Sequence, residues 1–190
     1  MNTHKKIYTM MLSALLIAVG TVIPMFMPKV IIGPMSFTLA SHVAVMIALF
    51  VSPQVAVGVA LGTTLGFFVS GTPFIVVLRA LSHVVWAFVG AYYIKGHADV
   101  FEKPSKTLLF NISMALLHAL GEMIVVIPFY MGTMDVQTFI YMVFGLVGLG
   151  TAVHSAVDFS ISLIVWKALS KNASIADISN VKKVYLVKNA

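Results

Sequence analysis

The fold is decided by the stretch PFIVVLRALSHVVWAFVGAYYI, residues 73–94, in which a single residue, Arg79, carries a formal charge. A helix that crosses a membrane needs about 20 mainly apolar residues, and this stretch meets both conditions. The same composition extends over the whole chain of 190 residues, of which 60% are hydrophobic and 9% are charged. Soluble domains carry about 25% charged residues. The sequence therefore excludes a soluble globular protein and predicts an all-α, polytopic membrane protein.

Five further apolar stretches accompany this one, so we predict a bundle of six transmembrane helices in a single membrane domain, residues 1–190. Pro53 suits the first turn of a helix, and the Gly-Thr-Pro run at 71–73 indicates a tight turn. The Gly-rich run at 145–150 is compatible with a bend in the sixth span or with a later start of that span. The predicted spans cover residues 7–27, 38–51, 53–70, 73–94, 107–130 and 138–169, and a basic tail follows at 170–190.

The placement of the lysines predicts the orientation of the bundle, because lysine and arginine in short loops favour the cytoplasmic side. With the N-terminus inside, ten lysines fall in cytoplasmic segments, Lys29 falls outside, and Arg79 lies within a span. Both termini are therefore predicted to be cytoplasmic. The net charge of +6 is a topology signal with some attraction to anionic membrane lipid, and it does not indicate nucleic-acid binding.

Seven ionisable side chains fall inside the predicted spans, where a charge is costly and therefore indicates a function. Six of them form pairs four residues apart, and the members of such a pair share one helix face. The pairs are Arg79 with His83, His118 with Glu122, and His154 with Asp158, and the seventh residue is His42. At 1.5 Å per residue, the first two pairs lie about 9 to 15 Å below the outer surface. They predict a pocket that opens to the outside.

Arg79 indicates the charge of the ligand, because a guanidinium binds a carboxylate through two parallel hydrogen bonds. A small organic carboxylate is the best fit, with Phe37 and Trp86 as apolar walls and His42 at the rim of the pocket. Two other interpretations stay open. Arg79 pairs with Glu122 in a purely structural cluster, or the histidines and carboxylates bind a transition metal. No helix places two histidines one turn apart, so we expect neither a metal nor a cofactor.

Small residues on two predicted helices allow another helix to approach closely. The first span carries Ala14-x-x-x-Ala18, and the third carries Gly58-x-x-x-Gly62-x-x-x-Gly66. Either motif serves packing inside the bundle or docking of another membrane subunit. The chain has no phosphate-binding loop of the form G-x-x-x-x-G-K-[ST], so a transporter of this kind takes its energy from a partner or from an ion gradient.

The pattern of the whole chain resembles the substrate-binding S component of energy-coupling factor (ECF) vitamin transporters. The resemblance rests on six spans in fewer than 200 residues, on the alanine motif of the first span, and on two sequence stretches. These stretches, SFTLASHVAVMIALFVSP from Ser36 and LGTTLGFFVSGTPFIVVLRALSHVVWA from Leu61, are similar to niacin-type S components, with the pantothenate type close behind.

The resemblance implies a bacterial plasma-membrane protein that binds its vitamin from outside through the first loop and helices 4 to 6. Ala14 and Ala18 would dock on a transmembrane coupling subunit, and two ATPase subunits would drive release inside. For nicotinate, Arg79 would bind the carboxylate, Trp86 would stack on the ring, and His83 or His118 would bind the ring nitrogen. Pantothenate would need more donors and acceptors.

Two rival functions belong to other classes. In a solitary proton-coupled transporter, the His118/Glu122 and His154/Asp158 pairs would relay protons. An intramembrane hydrolase is disfavoured, because no nucleophile with a base and an orienting group stands out in the sequence. We therefore expect a transport protein and no enzyme.

Overall fold

The computed structural model, which describes residues 3–32, 35–181 and 184, confirms the all-α class. A short β-hairpin follows the first helix, and its strands are β1 (Lys29–Ile32) and β2 (Met35–Thr38). A π-helical segment, Tyr141–Leu149, joins the sixth and seventh helices. The helices are α1 (Thr3–Phe26), α2 (Val43–Val51), α3 (Pro53–Val69), α4 (Phe74–Gly96), α5 (Pro104–Tyr130), α6 (Val136–Ile140), α7 (Gly150–Leu169) and α8 (Ala173–Ile178).

Four helical segments of the described chain are long and apolar enough to cross a membrane. They are α1, α4, α5 and the continuous run Val136–Leu169. Each begins and ends within a few residues of the bounds of a predicted span. The remaining two predicted spans correspond to α3, with 17 residues, and α2, with nine. Pro53 opens α3 as predicted, and the Ser52 hydroxyl caps that helix by accepting the Val55 N–H at 3.2 Å.

The second predicted helix, 38–51, begins only at Val43, which corrects its first boundary. Residues 39–42 form a turn, and Ala40 adopts the left-handed φ of 65°. Asp158 of α7 holds this turn by accepting the backbone N–H of Ala40 at 2.8 Å and of His42 at 2.9 Å. All nine residues of α2 are buried, as expected for a helix that is apolar on every face.

The β-hairpin of β1 and β2 is antiparallel and lies between α1 and the turn before α2. Its register pairs Lys29 with Thr38 and Val30 with Phe37. The hairpin rests on the start of α7, since a Cβ added at Gly150 would lie 2.8 Å from Cζ of Phe37. An isolated two-stranded hairpin is marginally stable, so this tertiary contact supports a structure that the local sequence does not specify.

The sixth predicted span is one helical run whose hydrogen bonding changes partway. It begins at Val136, where the Asp135 side chain accepts the Thr138 N–H at 3.0 Å. Hydrogen bonds from Thr138, chiefly from its hydroxyl, lower the pKa of Asp135. The glycines predicted to bend this span or delay its start lie in the π-helical segment or directly after it, and the run continues through them to Leu169.

The described part of the basic tail packs against the bundle. It forms α8, and the Asn180 N–H then donates to the carbonyl of Phe50 at 2.9 Å. Val181 is buried in the same core. Lys5 of α1 and Asp177 of α8 form an ion pair at 2.9 Å, so the start of α1 and the tail lie at one end of the bundle. Residues 182, 183 and 185–190 of the predicted tail lie outside the described residues.

Candidate ligand-binding site

A cavity of about 420 Å³ lies at the end of the bundle where α1 ends and α4 begins. Its volume falls in the range of about 300–1,000 Å³ that is typical of small-molecule sites. Six of the nine residues predicted from the sequence line it: Phe37, His42, Arg79, His83, Glu122 and His154. The other three, Trp86, His118 and Asp158, are buried. They contact lining residues on the side away from the cavity.

One face of α4 forms a wall of the cavity. Lining residues recur along it at Pro73, Val76, Arg79 and His83, which is the spacing of three to four residues that keeps side chains on one helix face. At 1.5 Å per residue, these positions descend about 15 Å into the bundle. Arg79 and His83 therefore share a face toward the cavity, as their spacing predicts.

Arg79 forms a buried ion pair with Glu122 of α5. Its Nε and Nη2 atoms donate to Oε2 of Glu122 at 3.1 and 2.7 Å, and the Thr151 hydroxyl donates to the same oxygen at 2.7 Å. The side chains of Arg79 and Glu122 are 13% and 3% exposed. The structural pairing left open by the sequence is thus present, and both partners also border the cavity.

Two histidines face the other oxygen of the same carboxylate. Nε2 of His83 lies 3.5 Å and Nε2 of His118 lies 3.4 Å from Oε1 of Glu122. Both nitrogens are buried and make no hydrogen bond within the part of the chain that the structure describes. On the far side of its ring, Nδ1 of His118 lies 3.1 Å from the Ser155 hydroxyl.

Asp158 fixes His42 in the site. Its Oδ2 atom accepts the backbone N–H of His42 and lies 3.0 Å from Nδ1 of the same residue. His154, four residues earlier on α7, places Nε2 3.3 Å from this oxygen and 3.0 Å from the Ser41 hydroxyl. Asp158 therefore connects the turn before α2 to α7.

His42 lies at the centre of the polar cluster, which corrects its predicted place at the rim. Its ring centroid lies 5.0 Å from that of His83, 4.6 Å from that of His118 and 5.1 Å from that of His154. The prediction failed because α2 begins four residues beyond Leu39, and the turn held by Asp158 carries His42 inward.

Trp86 lies behind the histidines rather than at the cavity surface. Its ring centroid is 5.7 Å from that of His83 and 5.1 Å from that of His118, and the residue does not line the cavity. Trp86 is therefore not accessible to a ligand ring in the cavity, and the stacking expected from the sequence does not occur in this structure. Two phenylalanines, Phe37 and Phe67, line the cavity.

Six polar residues that the sequence does not single out as site residues also line the cavity: Lys29, Thr38, Ser41, Thr63, Thr72 and Thr151. Helical spacing could have identified Thr151 as a site residue, because it lies three residues before His154 and shares its helix face. No sequence pattern identifies Lys29 and Ser41, because the hairpin and the turn that position them depend on contacts with α7.

The small residues of the two motifs differ in where they face, since some lie on the outside of the bundle and others lie in contacts between its helices. Ala14 and Ala18 are exposed on α1, whereas Leu16 and Gly20 of the same helix are buried. On α3, a Cβ added at Gly62 would lie 2.5 Å from Cδ1 of Ile17, while one added at Gly58 would meet no atom within 4 Å. Gly62 therefore serves packing inside the bundle, and the predicted docking alanines face away from it.

The fold and the site define a helical membrane protein with a polar, ligand-sized cavity between its helices. No protein-family model matches the chain, and no solved structure matches it. The chain is 43% identical over 169 residues to the niacin transporter NiaX of Lactococcus lactis subsp. cremoris (strain MG1363), a match that covers 87% of this chain and 76% of the relative. The chain belongs to this niacin transporter family, which makes it a transport protein rather than an enzyme and confirms the resemblance to niacin-type S components.

Proposed function

We propose that the protein is the S component of an ECF-type importer and that it binds nicotinate in the cavity described above. The observation that carries the proposal is a cavity of about 420 Å³ bordered by Arg79 in a chain 43% identical to a protein named as a niacin transporter. Nicotinate is favoured over pantothenate because that relative's name specifies niacin.

The charges around the cavity support an anionic ligand. Three of the described lining residues carry a formal charge: Lys29, Arg79 and Glu122. Their sum is +1 with the histidines neutral, so the wall attracts a carboxylate. We assign Arg79 to that carboxylate, because its guanidinium presents five N–H donors in a planar fork suited to carboxylate oxygens.

The aromatic lining supports a flat ring beside the carboxylate. Phe37 is held between Gly150, on which its ring rests, and His154, whose ring centroid lies 5.6 Å away. Phe67 of α3 also lines the cavity. We assign the pyridine ring to the space beside Phe37 and Phe67, with His83 toward the ring nitrogen.

We propose six spans, both termini in the cytoplasm, and a cavity that opens to the outside of the bacterial plasma membrane. The Lys5–Asp177 ion pair supports termini on one side, because it joins the start of α1 to α8. Short α2 and α3 would then form the second and third crossings. Lys29 would lie at the outer end beside the cavity.

We further propose that the coupling subunit docks on the exposed face of α1 that carries Ala14 and Ala18. Small exposed side chains on an apolar helix permit close approach of a partner helix. The energy would come from two partner ATPase subunits, because this sequence has no phosphate-binding loop.

Two measurements test the proposal. Mass spectrometry of the small molecule that co-purifies with the detergent-extracted protein should find nicotinate, and pantothenate in its place would contradict the ligand assignment. Uptake of labelled nicotinate in cells should require the coupling subunit and the ATPases. Uptake by this chain alone that a protonophore abolishes would identify a solitary proton-coupled carrier instead.

A further inference from the structure

Four metal-ligating side chains converge at the buried end of the cavity. His42 precedes α2, His83 lies on α4, and His118 and Glu122 lie on α5. One ligand atom from each lies within 4.8 Å of all the others. No predicted helix carries two histidines one turn apart, but the fold brings three histidines together from separate elements.

The two imidazole nitrogens that face Glu122 lie farther from it than in a strong hydrogen bond, at a spacing that suits coordination of a shared metal ion. Nε2 of His83 lies 3.5 Å and Nε2 of His118 lies 3.4 Å from Oε1 of Glu122. A charge-assisted hydrogen bond between such atoms is about 2.7–2.9 Å long. Ligands about 2.1 Å from a tetrahedral metal ion are separated by about 3.4 Å, which is that radius multiplied by about 1.63.

Neither of these two nitrogens has a hydrogen-bond partner in the part of the chain that the structure describes. Both are buried and accept or donate no hydrogen bond among the described residues. Buried polar atoms without a partner are rare in native structures because they are destabilising. A cation that accepts the lone pairs of both nitrogens removes this penalty.

The remaining atoms of these side chains are held in the way that metal ligands usually are. Nδ1 of His42 contacts Oδ2 of Asp158 at 3.0 Å, and Nδ1 of His118 contacts the Ser155 hydroxyl at 3.1 Å. With the proton on Nδ1, the lone pair lies on Nε2, and such partners are a common feature of metal-binding histidines. Arg79 and Thr151 occupy Oε2 of Glu122, which leaves Oε1 for an ion.

We infer that His42, His83, His118 and Glu122 bind one divalent transition-metal ion. Three imidazoles and one carboxylate suit zinc, cobalt or nickel and do not suit magnesium or calcium. His42, His83 and Glu122 also line the cavity, so the ion faces the space assigned to the transported ligand. The inference does not depend on the identity of that ligand.

Cobalt(II) is the probe for the experiment, because its visible absorption reports its coordination. Purified protein, stripped with a chelator and free of nicotinate, is titrated with Co²⁺. We expect one equivalent to bind with the intense visible bands of a four-coordinate ion and to be displaced by Zn²⁺. His118→Ala should abolish this signal, and Ser155→Ala should weaken binding by about 10- to 100-fold.

One histidine variant is the matched control, and a second tests the alternative group formed by His42, His154 and Asp158. His97→Ala removes an exposed histidine at the end of α4 and should leave Co²⁺ binding unchanged, whereas His154→Ala should still give the spectrum of a four-coordinate ion. Weak bands of a six-coordinate ion, no binding, or an unchanged signal in His118→Ala would overturn the inference. Loss in His154→Ala with retention in His118→Ala would move the ion to Asp158 and would also overturn it. If His118→Ala fails to fold, the wild-type spectrum and Ser155→Ala decide the question, and nicotinate binding is measured separately.

Discussion

Replacement of Arg79 by methionine should have two separable effects, one on stability and one on ligand binding. The Arg79 guanidinium makes two hydrogen bonds to Oε2 of Glu122, whose side chain is 3% exposed. In the metal-free protein, Arg79→Met leaves this carboxylate charged and buried without its counter-ion. Breaking one partner of a buried ion pair destabilises a protein by about 3–5 kcal/mol, so the variant should unfold at a clearly lower temperature in detergent.

The binding effect of Arg79→Met has its own magnitude. Loss of a desolvated charge partner for a ligand carboxylate weakens binding by about 2–4 kcal/mol. At about 1.4 kcal/mol for each factor of ten, this is a loss of about 30- to 700-fold in nicotinate affinity. Isothermal titration calorimetry on the purified variant measures this loss directly.

The double variant Arg79→Met/Glu122→Gln separates the two effects. It contains no uncompensated charge, and replacing a buried ion pair by neutral side chains is often close to neutral for stability. We therefore expect its thermal stability to return toward that of the wild type while nicotinate binding stays lost. Glu122→Gln alone keeps Arg79 and should weaken nicotinate binding less than Arg79→Met. A double variant that binds nicotinate within twofold of the wild type would refute the assignment of Arg79 to the ligand.

Three further substitutions test packing, the polar turn and partner docking. Gly62→Ala forces a Cβ against Ile17 and should lower stability by about 1–3 kcal/mol, whereas Gly58→Ala should cost nothing in thermal denaturation; equal losses would contradict the packing. Asp158→Asn weakens charge-assisted hydrogen bonds to the turn before α2 and should lower stability by roughly 1.5–3 kcal/mol, and an unchanged melting temperature would argue against this role. Ala18→Arg should abolish nicotinate uptake and preserve binding to the purified protein; loss of binding would indicate internal packing.

The sequence predicts features that depend on short stretches of chain. The length of the apolar stretches predicts α4 and α5. Pro53 begins α3, as expected from the fixed φ angle of proline. Spacing of four residues also places Arg79 and His83 on one face. These features are readable because helix geometry relates residues one turn apart regardless of the rest of the fold.

The features that the sequence does not predict depend on distant partners. The start of α2 is set by Asp158, which accepts the N–H of Ala40 across 118 residues. The β-hairpin rests on α7 through Phe37 and Gly150. His42, His83 and His118 come together from three separate elements, so no pattern within one helix predicts their contact. Local spacing identifies which side chains face inward, while the packing of the helices decides which of them meet.

The central claim is that this cavity recognises the carboxylate of its ligand through Arg79. Calorimetric titration of the purified protein with nicotinate and with nicotinamide tests it most directly, because the two ligands share the pyridine ring and differ in the charge of the substituent. We expect nicotinate to bind at least about 30-fold more tightly, which corresponds to about 2 kcal/mol from the charged contact. Equal affinity for the two ligands would contradict the claim.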